Sequence, residues 1–318
     1  MFKLLYKTTA IFLLVTVFIY TVSKFDNLQT PNDFNIARVQ SLPTSKLDVL
    51  FIGPSFSYCG INTPLFDSIT ELNSYNLGVA SAGVNYYELL LANFLSTHAE
   101  YPTYIFFNVT PITFCENSDA WNLYPIHRYL TPSVSNEYLL FNDYISFHDF
   151  IKLIRKSFFK SVQTIFNTNS ADVSAIAIKK ELMKKNKGYS PNNSAYNNLE
   201  EKENEQKYTQ YKKYSFDEEK YKRFIQLLKR CKDAGITPVV HETPTFELKK
   251  FYSENYINDY NKKLLLLSSY NVTYLIKEPI EMNNKNLFAS IDHLNTVGAN
   301  IYTNYLSKEF IKQINTSK

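Results

Sequence analysis

The sequence predicts an α/β fold, a three-layer sandwich around a central, mostly parallel sheet, preceded by one N-terminal transmembrane helix. Three observations predict it. Short apolar runs rich in strand-formers recur at Val49–Ile52, at Tyr104–Val109 and at residues 236–240 and 272–276. Between them stand longer segments with apolar residues at helical spacing, and strands alternating with helices argue for parallel pairing with both faces covered. Ahead of all this, residues 8–23 form an uncharged apolar run. With 318 residues, 45% of them hydrophobic, the chain has ample material for a core.

The first folded stretch, Leu47 to Cys59, reads LDVLFIGPSFSYC. Val49–Ile52 has the length and residue types of a buried strand, and Gly53-Pro54 stops it. Ser55 follows at once. A serine on a tight turn at the end of a buried strand has an exposed hydroxyl and a free amide, which suits it to be nucleophile and oxyanion donor together. Gly-Pro-Ser is equally a common way to end a strand. Residues 60–72 predict a loop feeding a helix, with Pro64 in its first turn and Leu65, Phe66, Ile69 and Leu72 on its apolar face. Residues 75–83 (YNLGVASAG) predict a short strand running into small residues, where a backbone can approach something closely. A helix is expected over 85–96, then the strand Tyr104–Val109 with Asn108 near its C-terminal end. In sheets of this kind ligands bind at the C-terminal strand edges, and Ser55, Ser81 and Asn108 all fall there.

The middle of the chain says less. Residues 110–144 are aromatic and irregular and carry Trp121 and His127; they read as a long cap loop, or as the lining of a substrate groove. Residues 147–166 predict a helix. From 167 to 210 the chain turns polar, and this stretch is expected to be an insertion in the domain, partly helical and partly mobile, with solvated charge runs. The core resumes with an amphipathic helix over 218–234, closed by Gly235 as a C-cap glycine. The strand at 236–240 then ends in His241, which reads as a polar loop residue placed near the same edge. A helix over 255–268, the strand at 272–276 and a helix over 296–314 complete a domain spanning 47–318. Just before that last helix stands Asp292-His293-Leu294-Asn295.

At the N-terminus, Lys3 and Lys7 precede the apolar run and Lys24 closes it. Extended by Leu4, Leu5 and Tyr6, the run approaches the ~20 residues that span a bilayer as a helix. Basic residues in front favour a cytoplasmic N-terminus and an exported domain, periplasmic or extracellular. A cleaved signal peptide is the competing reading, but Thr21-Val22-Ser23 matches the cleavage pattern poorly. Residues 1–24 are therefore expected to be an uncleaved anchor, and 25–46, polar with two prolines, a juxtamembrane linker. The net charge of +4 is small and spread out, which gives no reason to expect a nucleic-acid partner. Three widely separated cysteines exclude a disulfide framework and leave room for at most one bridge. They form no C-x-x-C pair, so neither a metal nor a cofactor is expected.

Gly53-Pro54-Ser55 after a first strand, Asn76-Leu77-Gly78 after a second, and His293 before the last helix resemble the ordered blocks of SGNH hydrolases, whose sheet is flavodoxin-like. More closely, the chain resembles the membrane-anchored SGNH-like group that includes the DltD and alginate O-acetylation (AlgJ/AlgX-like) proteins. A G-x-S turn, a YNLG segment and a D-x-x-H-L-N-x-x-G-A ending recur there together. The resemblance covers most of 47–310, outside the polar insertion. It implies Ser55 as nucleophile, His293 as general base, and oxyanion donors in the Ser55 N–H, the Gly78–Ser81 turn and the Asn108 side chain. The chain departs from the pattern at Pro54, where an acid or serine is usual, and at Ser290, where an acid is expected three residues before the histidine. Asp292 is the nearby carboxylate, but neighbours in sequence rarely point the same way. A Ser-His dyad, a triad with another acid and a degenerate site all stay open.

If active, the site performs acyl transfer. For an exported, tethered protein the resemblance implies O-acylation or deacylation of a cell-envelope or secreted polysaccharide, beside a multipass membrane acyltransferase as partner. The competing class is a catalytically degenerate glycan-binding or assembly factor, favoured by the missing acid and by Pro54. Retention of both Ser55 and His293 favours the enzyme. An ordinary secreted esterase is the third reading, and release from the membrane would mark it.

Overall fold

The computed structural model describes residues 42, 47–80, 82–115, 178, 180–196, 208–267, 274–279 and 282–316. The expected anchor, nearly all of the linker, Ser81, Trp121, His127 and the helix expected over 147–166 lie outside them. Among the described residues no helix is long and apolar enough to cross a membrane.

Five strands, β1 (Val49–Ile52), β2 (Ser74–Asn76), β3 (Tyr104–Val109), β4 (Thr237–Glu242) and β5 (Tyr274–Ile276), pair in parallel throughout. Their order is β2-β1-β3-β4-β5, the flavodoxin-like doubly wound arrangement. Wholly parallel strands need both faces buried, and the alternation of side chains delivers this. Val49, Phe51, Phe106 and Val239 face one layer, made by α2 (Thr63–Thr70) and α6 (Thr296–Thr316). There Phe51 meets Phe66 edge-on at 5.0 Å and Phe106 meets Phe310 at 4.9 Å. Leu50, Ile52, Ile105, Phe107 and Val240 face the other layer, made by α3 (Val84–Thr97), α4 (Glu218–Asp233) and α5 (Glu254–Leu266). Each of these large side chains, fully withdrawn from water, contributes about 2 kcal/mol.

Local signals set the helix ends. Asn62 caps α2 by accepting from the Leu65 N–H, with Pro64 in the first turn. Asp217 caps α4 through the Glu219 and Lys220 N–H groups, and Gly235 follows it at φ +76°. A six-residue helix, α1 (Ser55–Gly60), begins directly after Pro54, where the sequence pattern marks only a turn. The three cysteines are buried thiols, so the single bridge the sequence left room for is not formed.

Part of the polar 167–210 stretch is built into the domain. The Asn76 N–H on edge strand β2 donates to Lys187 O at 2.9 Å, the Ser190 N–H to Tyr58 O at 2.8 Å, and the Thr296 N–H to Asn192 O at 2.7 Å. The Lys187 ammonium pairs with Asp67. Covering the edge strand in this way removes a row of unpaired backbone groups.

Gly188 sits in the left-handed region at φ +87°, and a Cβ there would lie 1.8 Å from Asn76 O. Gly235 has the same backbone sign but nothing within 4 Å of its would-be Cβ. Gly235→Ala should therefore cost about 1 kcal/mol, from conformation alone. Gly188→Ala should cost about 3 kcal/mol or more, because backbone must move as well. Urea unfolding midpoints of the two variants, compared with the parent, check the ordering.

Candidate active site

The order in which the chain adds strands to the sheet reverses between β1 and β3, and in doubly wound sheets the crevice beyond that point is where ligands bind. A cavity of about 320 Å³ lies there. Pro54, Ser55, Phe56 and Tyr58 line it from the turn after β1, Ala80, Ala82 and Gly83 from the loop after β2, and Ile112 from the loop after β3. Tyr211, Asp292 and His293 close it.

Asp292 and His293 belong to a tight turn. The Ala289 N–H donates to His293 O at 2.9 Å, the His293 N–H to Ser290 O at 3.4 Å, and Phe288 and Leu294 form an antiparallel bridge around them. Asn295 pins this turn to α6. Its side-chain oxygen accepts from the Gly298 N–H at 3.0 Å, and its Nδ2 donates to Asn286 O at 2.7 Å. In an extended chain adjacent side chains point to opposite faces; within a turn they need not. Here both line the cavity that Ser55 lines.

The result is a line of three groups. His293 Nε2 is 2.7 Å from Ser55 Oγ, and His293 Nδ1 is 2.7 Å from Asp292 Oδ1. A carboxylate only accepts, so Nδ1 carries the imidazole proton and Nε2 is left as the acceptor for the Ser55 hydroxyl. Burial pushes the Asp292 carboxyl up, but the His293 charge and the His293, Ser290 and Tyr208 hydrogen bonds outweigh it and hold it at about 2. It is thus ionised whenever the protein is folded near neutral pH. The Phe56 ring stacks on the imidazole at 5.2 Å between centroids and fixes its tilt. Burial first, and then the Asp292 charge, push the Tyr211 hydroxyl up. Burial and then Cys59 do the same for Tyr58, with Asp292 adding to it. Both phenols stay neutral hydrogen-bonding groups at the cavity wall.

Ser55, His293 and Asp292 come together, whereas Gly78 and Asn108 do not join them. The Gly78 N–H donates to the Asn76 side chain at 2.9 Å, and a Cβ at Gly78 would stand 2.7 Å from Tyr58 N. Gly78 therefore serves close packing of α1 on β2, which corrects the expectation that it donates to an oxyanion. Asn108 is fully buried and donates to Thr243 Oγ1. It lies on the strand face that looks toward α6, away from the cavity lining, so the expected oxyanion contact is not made. Ser81 lies outside the described residues.

His241 is corrected too. It is a ladder residue of β4, paired with Asn108, and is fully buried. Tyr302 OH donates to Glu242 O at 2.7 Å, so His241 Nδ1 donates to the Tyr302 oxygen, 2.8 Å away. Burial pulls its pKa down to about 3 and keeps the ring neutral.

Sequence reasoning missed Phe56, Tyr58, Ile112, Tyr208 and Tyr211. The signal for two of them was present as tyrosines spaced three apart, Tyr208, Tyr211 and Tyr214, at the margin of the polar stretch. Beside the site the Tyr211 ring meets Tyr208 edge-on and Tyr214 at a tilt, and stacks on Tyr252.

The depressed Asp292 carboxyl links folding to pH. Its unfolded value is near 3.8 and its folded value about 2, so in that interval the unfolded chain binds the extra proton. Its stabilising contribution is complete above about pH 4 and disappears as pH falls through about 2, amounting to at most about 2 kcal/mol. The stability difference between the parent and Asp292→Asn should shrink by that amount across the window, as read from urea midpoints at successive pH values.

No protein-family model matches the chain, and no curated protein matches it. Among solved structures, the chain is similar to a Desulfitobacterium hafniense protein assigned to the lipolytic G-D-S-L family, at 10% identity and a TM-score of 0.37. The alignment covers 82% of this chain and 98% of that one.

Proposed function

We propose that the chain is an SGNH-like serine acyl-transfer protein, held at the membrane by its N-terminal segment with the folded domain outside the cytoplasm. The observation that carries this is the unbroken line from Ser55 Oγ through His293 to Asp292, with 2.7 Å on either side of the imidazole. Nucleophile, base and orienting acid stand in the order that serine acyl transfer requires.

Ser55 Oγ attacks the carbonyl carbon of an ester while its proton passes to His293 Nε2. The imidazolium so formed is stabilised by Asp292 through Nδ1–H. The developing oxyanion is assigned to the backbone N–H of Ser55, in the first turn of α1, where N–H groups have no helical carbonyl to bond. When the carbonyl re-forms, the C–O bond to the leaving alcohol breaks and Nε2–H protonates that oxygen, leaving an acyl-Ser55 ester. Water or a sugar hydroxyl then gives its proton to Nε2 and attacks the acyl carbon, and the Ser55 oxygen departs and recovers the proton. An acid or ester product leaves and the site is restored.

An acylated cell-envelope or secreted polysaccharide as substrate, and a multipass membrane acyltransferase as partner, rest on the family resemblance and the N-terminal segment alone. The non-catalytic alternative drew its support from Pro54 and from the lack of an acid for His293; the Asp292 contact weighs against the second of these grounds.

The test uses the full chain in detergent with p-nitrophenyl acetate, beside Ser55→Ala and His293→Ala. Turnover should fall by about 10³-fold or more in each. A fluorophosphonate probe should label the parent and leave Ser55→Ala unlabelled. Equal turnover and equal labelling in parent and variants would refute the acyl-transfer reading.

A further inference from the structure

The carboxylate of this site stands one residue before the histidine, which leaves Asp292 with little backbone leverage. Its Cα is fixed by the turn, but a three-fold χ1 and a broad χ2 remain, and few of their combinations bring an oxygen onto His293 Nδ1. Ser290 narrows the choice. Its Oγ donates to Asp292 Oδ1 at 2.7 Å and stands 3.2 Å from His293 Nδ1. The same carboxylate oxygen thus receives the Ser290 O–H and the imidazole N–H, while the Tyr208 hydroxyl makes a further hydrogen bond to the carboxylate. Ser290 itself is held by the turn's backbone bonds, with the Ala289 and Ser290 N–H groups both directed at His293 O. Ser290 and His293 are therefore fixed relative to one another before Asp292 chooses a rotamer.

We propose that Ser290 is a positioning residue, its hydroxyl selecting the Asp292 rotamer that meets His293 Nδ1. The inference rests on the acyl-transfer reading above. Among the described residues the other polar groups near Asp292 are His293, Tyr208, Tyr211 and Tyr58, and burial keeps the phenols of Tyr211 and Tyr58 neutral. Without the Ser290 hydroxyl, Asp292 Oδ1 keeps the imidazole N–H but loses the donor that fixes its side-chain torsions.

The experiment measures kcat and KM for p-nitrophenyl acetate, and fluorophosphonate labelling rates, on the full chain in detergent. Melting temperatures identify which variants are folded. Asp292→Asn should lose about 10²-fold or more in kcat. Ser290→Ala should lower kcat about tenfold with KM within about twofold, and Ser290→Thr, which keeps the hydroxyl, should retain most of the parent rate. A folded Ser290→Ala with parental kcat and labelling rate would overturn the positioning role, as would a folded Ser290→Thr as slow as Ser290→Ala. These failures are distinct from failure of the acyl-transfer reading, in which the parent and Ser55→Ala would label alike; that result would overturn this inference as well.

Discussion

Where β1 gives way to α1, the chain runs so close to β3 that only glycine fits. A Cβ on Gly53 would stand 2.6 Å from Asn108 Cβ and 2.7 Å from Ser57 Cβ. This crowding lets the chain turn from strand to helix within two residues, so Ser55 opens α1 at the sheet edge instead of being carried off on a longer loop. Asn76, buried at the end of β2, then locks the helix in place. Its Nδ2 donates to Ser57 O at 2.9 Å, and its Oδ1 accepts from the Gly78 N–H at 2.9 Å. A fully satisfied buried amide is rigid, since any shift would leave polar atoms unpaired in a medium that cannot compensate them.

A second constraint, far along the chain, completes the site. The turn from Ser290 to His293 folds two adjacent side chains toward the same point, and Asn295 fastens that turn to the long C-terminal helix. α6 in turn packs its Tyr302, Leu306 and Phe310 on the sheet beneath. The position of His293 relative to Ser55 is therefore set by the packing of α6 on β1 and β3, through cores that admit little slack. The aromatic side chains of Tyr208, Tyr211 and Phe56 surround the Asp292–His293 pair and lower the local dielectric, which strengthens the carboxylate's hold on the imidazole.

Much of this was legible in the sequence, for identifiable reasons. Val49–Ile52 and Tyr104–Val109 could be bounded to the residue, because buried parallel strands are short apolar runs stopped by Gly-Pro or by loop residues. Pro64 in the first turn of α2 and Gly235 just beyond α4 were legible because helix-end signals are local, whereas the Asn62 and Asp217 caps emerged only in the structure. α1 was not, since SFSYCG is too short to show a period. β4 runs through His241 to Glu242 because Asn108 and Val109 continue the ladder beside it, and that pairing spans more than a hundred residues. Asn108 looked like a site residue by its place at a strand end, yet strand alternation puts it on the face of Phe106, toward α6. The reach of Asp292 depended on the turn geometry at 290–293, which residue types alone do not encode.

The central claim is that Asp292, adjacent in sequence, holds His293 so that its other nitrogen faces Ser55. The most direct measurement is a crystal structure of the folded domain after reaction with a fluorophosphonate. Phosphorus bonded to Ser55 Oγ, with Asp292 still within hydrogen-bond distance of His293 Nδ1, is the predicted result. Phosphorus on another side chain, or an imidazole whose Nδ1 faces away from Asp292, would contradict it.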